Sequence, residues 1–426
     1  FVRALPMDKK NAFYAQSGGV TAVINASAAG VIEAVRENNA TIGKLYAGLN
    51  GIVGALQEDL IDTSKESLSD IAALKHTPGG AFGSCRYKMN DYKDSPAEYE
   101  RLIEVFKAHN IGYFFYNGGG DSADTCLKVS QISAKMGYPI QAIHIPKTID
   151  NDLPLTDCSP GFGSVAKYIA TSTKEASLDI ESMSGSSTKV FILEVMGRHA
   201  GWIAASGGLA AEQAGDPPHI ILFPEIPFSR ELFIKKVEQT VHEKGFCVIV
   251  ASEGAQYSDG AHISGSINKD AFGHQQLGGV APTLASMIKQ STAYKYHWAM
   301  ADYLQRSARH IASKTDVDQA CAVGRAAVEM AVQGKHSVMV SIERGSGKKY
   351  SWSLGEAPLE KVANMEKKMP RSFITKDGYG ITQKARDYLE PLIAGEDYPP
   401  FKNGIPSYVR LKNVLVPKKL PKGFKV

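Results

Sequence analysis

Short apolar runs recur along this 426-residue chain, and each breaks off at glycine or polar residues. They are NAFYAQSGG, YFFYNGGGD, IQAIHIPKTID, KVFILEVMGR, HIILFPE and FCVIVASEGA. An unbroken apolar run of about four to six residues fits a strand buried on both faces, as in a parallel sheet. Between the runs lie segments with helical spacing. AVINASAAGVIEAVREN is rich in alanine, SPAEYERLIEVFKAHN opens on Ser95 with Glu98 following, and SADTCLKVSQISAKMG ends at Gly137 after Lys135. Strands alternating with helices predict an α/β fold. The chain is longer than one typical core, so two domains are expected. In open α/β sheets ligands sit outside the carboxyl ends of the strands, and the residues with chemistry to offer fall there.

Two of those strand ends stand out. The run Tyr113–Tyr116 leads into Gly118-Gly119-Gly120-Asp121-Ser122, and the run ending at Ile145 leads into Lys147-Thr148-Ile149-Asp150-Asn151-Asp152. Successive glycines let backbone amides approach an anion closely. Beside them stand a cation, a base candidate and carboxylates able to serve Mg²⁺, which together are what phosphoryl transfer needs. Asp150 and Asp152 flank Asn151 either across an extended segment or across a tight turn. An isolated DND would equally cap the next segment as an Asx turn. Gly18-Gly19 also follow a strand and precede a helix, as an anion site or as a plain turn.

Composition narrows the classes. Charged residues make up 22% and the net charge is +4, which gives no argument for nucleic acid. No run of about 18 apolar residues exists, so no membrane span is expected. The five cysteines, 85, 126, 158, 247 and 321, show neither CxxC nor zinc spacing and suggest a reducing cytoplasm. The histidines at 76, 144, 199, 274 and 297 form no metal spacing and read as packing or polar residues. Tyr257 to Gln276 reads as a long loop, and the Lys/Pro-rich stretch from Val409 to Val426 as a solvated tail or surface arm.

GGGDS and PKTIDND, with Gly18-Gly19 before them and Met196-Gly197-Arg198 after, resemble the phosphofructokinase family over roughly residues 10 to 390, in detail its pyrophosphate-dependent branch. The resemblance implies two Rossmann-like three-layer α/β/α domains with mostly parallel sheets and an active site in the cleft between them. Residues 10–150 plus about 305–360 would carry the phosphoryl donor, and 151–304 plus about 361–426 the sugar phosphate. It implies Mg²⁺ as cofactor and pyrophosphate and fructose 6-phosphate as substrates, in glycolysis or gluconeogenesis. Asp150 would be the general base on the sugar 1-hydroxyl, with Lys147, Thr148 and Arg198 as catalytic partners. Gly19, Arg86, Gly119, Gly120, Asp121, Ser122 and Lys147 would hold the donor. Thr148, Asp150, Asp152, Met196, Gly197, Arg198, Glu253, Tyr303 and Arg306 would hold the sugar phosphate. Lys189, nine residues before Arg198, and Lys295 stand where relatives reach across a subunit interface, so a homodimer or tetramer is implied.

The resemblance also bears on the donor. ATP-using relatives commonly carry Gly where Lys147 stands, and Gly where Asp121 stands; bulk and negative charge at Asp121 would oppose a nucleotide. The chain departs from the family pattern at Gly120, where most relatives carry a metal-binding Asp. Either Asp121 serves as metal ligand beside Asp152, or the metal relies on phosphate oxygens and water. A second departure is SGGVTAVIN, which lacks the family's Asp and later Gly but keeps Asn25. An ATP-dependent kinase and a non-catalytic sugar-phosphate-binding regulator remain the alternatives. A nicotinamide enzyme does not, since no GxGxxG follows a strand with an acid downstream in order.

Overall fold

A computed structural model describes residues 9–264 and 278–426. Two sheets organise the chain. The larger runs β12-β11-β6-β5-β1-β2-β3, built from β1 (Asn11–Ser17), β2 (Leu45–Gly48), β3 (Leu60–Asp62), β5 (Ile111–Gly118), β6 (Gln141–Pro146), β11 (Val338–Arg344) and β12 (Trp352–Pro358), with β4 (Ser84–Cys85) against β1. The smaller runs β10-β7-β9-β8, from β7 (Val190–Val195), β8 (Ile220–Leu222), β9 (Cys247–Ser252) and β10 (Tyr296–Met300). Every pair in the smaller sheet is parallel. In the larger sheet only the outermost strands, β3 and β12, pair antiparallel. The apolar runs of the sequence are these strands. Phe13, Tyr14, Phe114, Phe115, Tyr116, Val248, Ile249 and Val250 have essentially no exposed surface, as strands covered by helices on both faces require.

Local signals behave mostly as their chemistry dictates. The helix Gly120–Lys135 closes with Gly137 at φ +72°, a left-handed stop that glycine adopts without strain. The helix Pro96–Ala108 departs from expectation. Ser95 makes no hydrogen bond to the helix amides; its hydroxyl donates to the Glu98 carboxylate at 3.0 Å, and Pro96 occupies the first turn. Pro96 leaves no amide to satisfy at the first helical position. Of the segment expected as a long loop, Tyr257–Ser264 opens with a turn closed by Gly260 N to Tyr257 O at 3.0 Å. Its remainder, with His274, lies outside the described residues.

The stretch expected as a tail is an arm laid along β3. Asp62 N donates to Val414 O at 2.9 Å and Val416 N to Leu60 O at 2.8 Å. Val416, Leu420 and Phe424 pack against the core beneath. Residues 409–426 therefore sit on the larger sheet, whereas the expected boundary placed them with the sugar-phosphate lobe; pairing to an open sheet edge outweighs the solvation of the lysines. β11 and β12 also join the larger sheet, while β10 completes the smaller one.

Candidate active site

The carboxyl ends of both sheets face one cleft of about 1190 Å³. β1, β5 and β6 of the larger sheet bring Gly18, Gly19, Gly119, Gly120, Asp121, Ser122, Lys147 and Thr148 to it, and Arg86 arrives from beyond β4. β7, β9 and β10 of the smaller sheet bring Met196, Arg198, Glu253, Tyr303 and Arg306. Asp150 and Asp152 lie between the two groups.

On the larger sheet's side, glycine is a steric requirement at Gly19. A Cβ there would stand 2.6 Å from an Arg306 guanidinium nitrogen and 3.3 Å from one of Arg86. The backbone thus lets two guanidinium groups converge. Lys147 joins them from below: it is 4% exposed, and its ammonium donates to Gly19 O at 2.7 Å. Burial, then the charges of Arg306 and Arg86, push the Lys147 pKa down to about 7. An ammonium held so poorly by its surroundings is one that an arriving anion would hold well. Gly120 is different, because a Cβ there would meet no atom within 4 Å. Packing therefore does not explain why the chain carries glycine at that position.

Asp121 sits in the first turn of the helix Gly120–Lys135, and Lys88 Nζ donates to its Oδ1 at 2.7 Å. One oxygen of the Asp121 carboxylate, the residue expected beside Asp152 as a metal ligand, is thus taken up by an ammonium. Among the described residues no group of three His, Cys, Asp or Glu side chains is placed to hold a metal ion.

The DND segment is a tight turn, which settles the choice left open by the sequence. Asn151 takes the left-handed φ of +55° and is fully buried. Its Oδ1 accepts from Ser159 N at 3.1 Å and its Nδ2 donates to Tyr388 Oη at 2.8 Å. Asn tolerates this conformation better than other residues with a Cβ, and on either side of it Asp150 and Asp152 both line the cleft, close enough for their charges to interact. Asp150 N donates to Thr148 Oγ1 at 3.1 Å, tightening the approach. Burial raises the pKa of both carboxyls, and for Asp152 the nearby Asp150 and Glu366 charges add to it. Arg198 and then Lys147 act against that rise at Asp150. Two carboxylates that resist ionisation are suited to a proton or a cation.

On the smaller sheet's side, Gly197 has φ +119°, and a Cβ there would lie 2.8 Å from Ala200 O. Ser252 Oγ donates to Gly197 O at 2.6 Å, and Met196 N donates to Gln305 Oε1 at 3.2 Å. These bonds fix the strand ends that carry Arg198, Glu253 and Arg306. Burial, then Asp150, push the Glu253 pKa up to about 7. The Arg306 guanidinium stacks 3.8 Å from the Tyr303 ring centroid, which aims a long side chain.

Two expected residues do not reach this cleft. Lys189 and Lys295 precede β7 and β10, so they lie side by side at the amino ends of the strands, with Lys189 N donating to Lys295 O at 2.8 Å. A six-residue strand separates them from the cleft by about 20 Å. Their ammonium groups bond Ser184 O and Ser187 Oγ. Conversely, the cleft holds Lys88, Glu194, Asn364, Glu366 and Lys368, which sequence reasoning passed over, and His199, which it read as an ordinary packing or polar histidine. His199 Nδ1 lies 2.7 Å from Glu366 Oε1. Lys367 N donates to Asp152 O at 2.6 Å, and its ammonium donates to Thr156 O and Asp157 O at 3.0 and 2.9 Å. Adjacency to Arg198 could have flagged His199; nothing in ANMEKKMP marks Asn364 to Lys368.

A cleft between two mostly parallel sheets, edged by converging cations and paired carboxylates, is the layout of a phosphoryl-transfer site. The chain belongs to the phosphofructokinase family, whose profile matches residues 11–331. It is 67% identical over 415 residues to the pyrophosphate–fructose 6-phosphate 1-phosphotransferase of Halomonas elongata, covering 97% of this chain and 99% of that one. It is 63% identical to the protein of the same name from Methylococcus capsulatus, covering 99% of this chain and all of the other. The crystal structure of a pyrophosphate-dependent phosphofructokinase from Marinobacter aquaeolei superposes with a TM-score of 0.90 at 65% identity, covering 98% of this chain and 100% of that chain.

Proposed function

We propose that this protein reversibly transfers a phosphoryl group from pyrophosphate to the 1-hydroxyl of D-fructose 6-phosphate, giving D-fructose 1,6-bisphosphate and phosphate. The observation that carries the reading is Lys147, a buried ammonium on Gly19 O beside the Arg86 and Arg306 guanidinium groups, at the strand end that also presents Asp150. The identity to proteins named for this reaction supports it. Pyrophosphate would lie against Gly19, Arg86, Gly119, Gly120, Ser122 and Lys147. The sugar phosphate would lie against Met196, Gly197, Arg198, Glu253, Tyr303 and Arg306.

Asp150 takes the proton of the 1-hydroxyl as the sugar oxygen bonds the transferring phosphorus. The bond from that phosphorus to the bridging oxygen breaks, and phosphate leaves against Lys147. Arg198 balances the charge spread over the transferring oxygens. In the reverse direction Asp150 returns the proton. Thr148 holds the turn and the acceptor in reach of one another.

Mg²⁺ fits the donor set, because burial raises the pKa of the Asp150 and Asp152 carboxyls and a bound cation would offset that rise. Bound there it would neutralise charge on the phosphate oxygens. Asp152 is the protein ligand we assign, with phosphate oxygens and water completing the shell. Lys189 and Lys295 would serve the cleft of a second copy, which makes the active unit a homodimer, or a tetramer of such pairs. No described helix is long and apolar enough to cross a membrane, and all five cysteines are free thiols; we place the reaction in the cytoplasm, in glycolysis and gluconeogenesis.

The test offers fructose 6-phosphate and Mg²⁺ with pyrophosphate or ATP as sole donor. Turnover with pyrophosphate alone is expected. Turnover with ATP alone would overturn the donor assignment, and none with either would overturn the catalytic one.

A further inference from the structure

Lys88 lies two residues beyond Arg86, past the short strand β4, and neither the family resemblance nor the reaction above gives it a role. Its ammonium donates to Asp121 Oδ1 at 2.7 Å, and both side chains line the cleft near Arg86, Lys147 and Gly19. Lys88 stands where the cleft meets a second chamber of about 640 Å³, since Arg86, Lys88 and Asn364 line both, and it holds Asp121 on the cleft side. Beyond Lys88 the wall turns acidic, with Asp91, Asp94 and Asp124. Lys128 is taken up there, at 2.7 Å from Asp91 and 2.8 Å from Asp124. Lys88 thus stands with Arg86 at the border between the basic and the acidic chamber, and of the two it is the one bonded to Asp121.

Asp121 poses a problem for an anionic donor. A carboxylate that opposes a nucleotide by charge also repels pyrophosphate. Bulk discriminates between the two donors, whereas charge does not. We infer that Lys88 is a specificity-determining residue for the donor: it neutralises Asp121, so that the carboxylate's bulk opposes the larger donor in the cleft without its charge repelling the pyrophosphate. This inference rests on the pyrophosphate reading proposed above.

Four variants test it: Lys88→Met, Lys88→Arg, Asp121→Asn and the double Lys88→Met/Asp121→Asn. The readouts are KM and kcat for pyrophosphate, and pyrophosphate binding by calorimetry. Lys88 is exposed in the cleft, and thermal unfolding of each variant confirms the folded state. Lys88→Met is expected to weaken pyrophosphate binding and raise its KM about tenfold or more, the worth of one charge-assisted contact, with the loss falling on KM rather than kcat. Lys88→Arg keeps the charge and recovers most of the binding. The double variant recovers to within about threefold of the parent, because the charge to be neutralised is gone. An unchanged pyrophosphate KM in Lys88→Met overturns the inference, as does a double variant bound no better than that single one. A parent protein that fails to use pyrophosphate in the same assay overturns the donor reading beneath it; a parent that succeeds while Lys88→Met binds normally overturns the inference alone.

Discussion

Asn151 shows how much one residue can settle. Two carboxylates at spacing two were legible as a chemical motif, but which way they point depends on a backbone angle. Asn151 supplies the left-handed turn and pins it through Ser159 and Tyr388. Asn151→Ala loses both buried bonds and the conformational tolerance, a cost of roughly 2–4 kcal/mol. It should lower kcat at least about tenfold while Asp150 and Asp152 remain, which steady-state kinetics beside thermal unfolding would check. Lys147 carries the pH dependence at this scale. Its pKa falls from 10.5 to about 7, so between those values the unfolded chain binds a proton that the folded chain does not. The penalty for burying the ammonium is therefore complete below pH 7 and is relieved as the pH rises toward 10.5. Pyrophosphate at this site restores the charged form, so binding at pH 8 should take up about one proton through Lys147. Calorimetry in two buffers of different ionisation enthalpy measures this, and the uptake should vanish in Lys147→Met. Replacing Lys147 and Asp121 together by Gly should relax the exclusion of ATP, and a double variant no better with ATP than the parent would contradict that account.

At the scale of elements, the arm shows where reading composition misleads. Lysine and proline suggested solvation, yet Glu58 receives the arm from beneath β3. Its carboxylate, 1% exposed, accepts from Lys419 N at 2.6 Å and Leu420 N at 3.3 Å and lies 2.7 Å from His109 Nε2. Burial opposes ionisation of Glu58, but the Lys419 amide, His109 and the Leu420 amide outweigh it and hold the pKa below its ordinary value. The sign follows: the stabilisation is present above the unfolded carboxyl pKa and is lost as the pH falls through the folded one. Glu58→Gln should loosen residues 414–420 by roughly 1–3 kcal/mol, seen as faster amide hydrogen exchange confined to the arm and β3. No spacing rule links Glu58 to Lys419, because the two meet only once the arm has crossed the lobe.

For the whole molecule, the puzzle is the pair Lys189 and Lys295 at the far ends of their strands. Strand β10 is the open edge of the smaller sheet, and Trp298, Met300 and Leu304 are 43%, 39% and 65% exposed in the single chain. A second copy on that edge would cover them and bring the lysines to the partner's cleft. Complementation checks this. Asp150→Asn and Lys189→Ala/Lys295→Ala should each be nearly inactive alone. Mixed and reassembled, they should regain about a quarter of parental activity, since half of the dimers are hybrids and each hybrid has one intact cleft. Lysines acting on their own chain would give no recovery.

The sequence by itself determined the strands, their burial and the chemistry at their ends, because those depend on side chains near one another in the chain: YFFY before GGGDS, IQAIHI before PKTIDND, KVFILEV before MGR. Only the tertiary structure decided which strand ends share a cleft. It also decided that Asn364 to Lys368 reach that cleft from beyond β12, that Lys88 takes up Asp121, and that the basic arm closes a sheet edge. These are contacts between distant segments, fixed by packing and sheet order rather than by local propensity, and a one-dimensional pattern carries no distance between them.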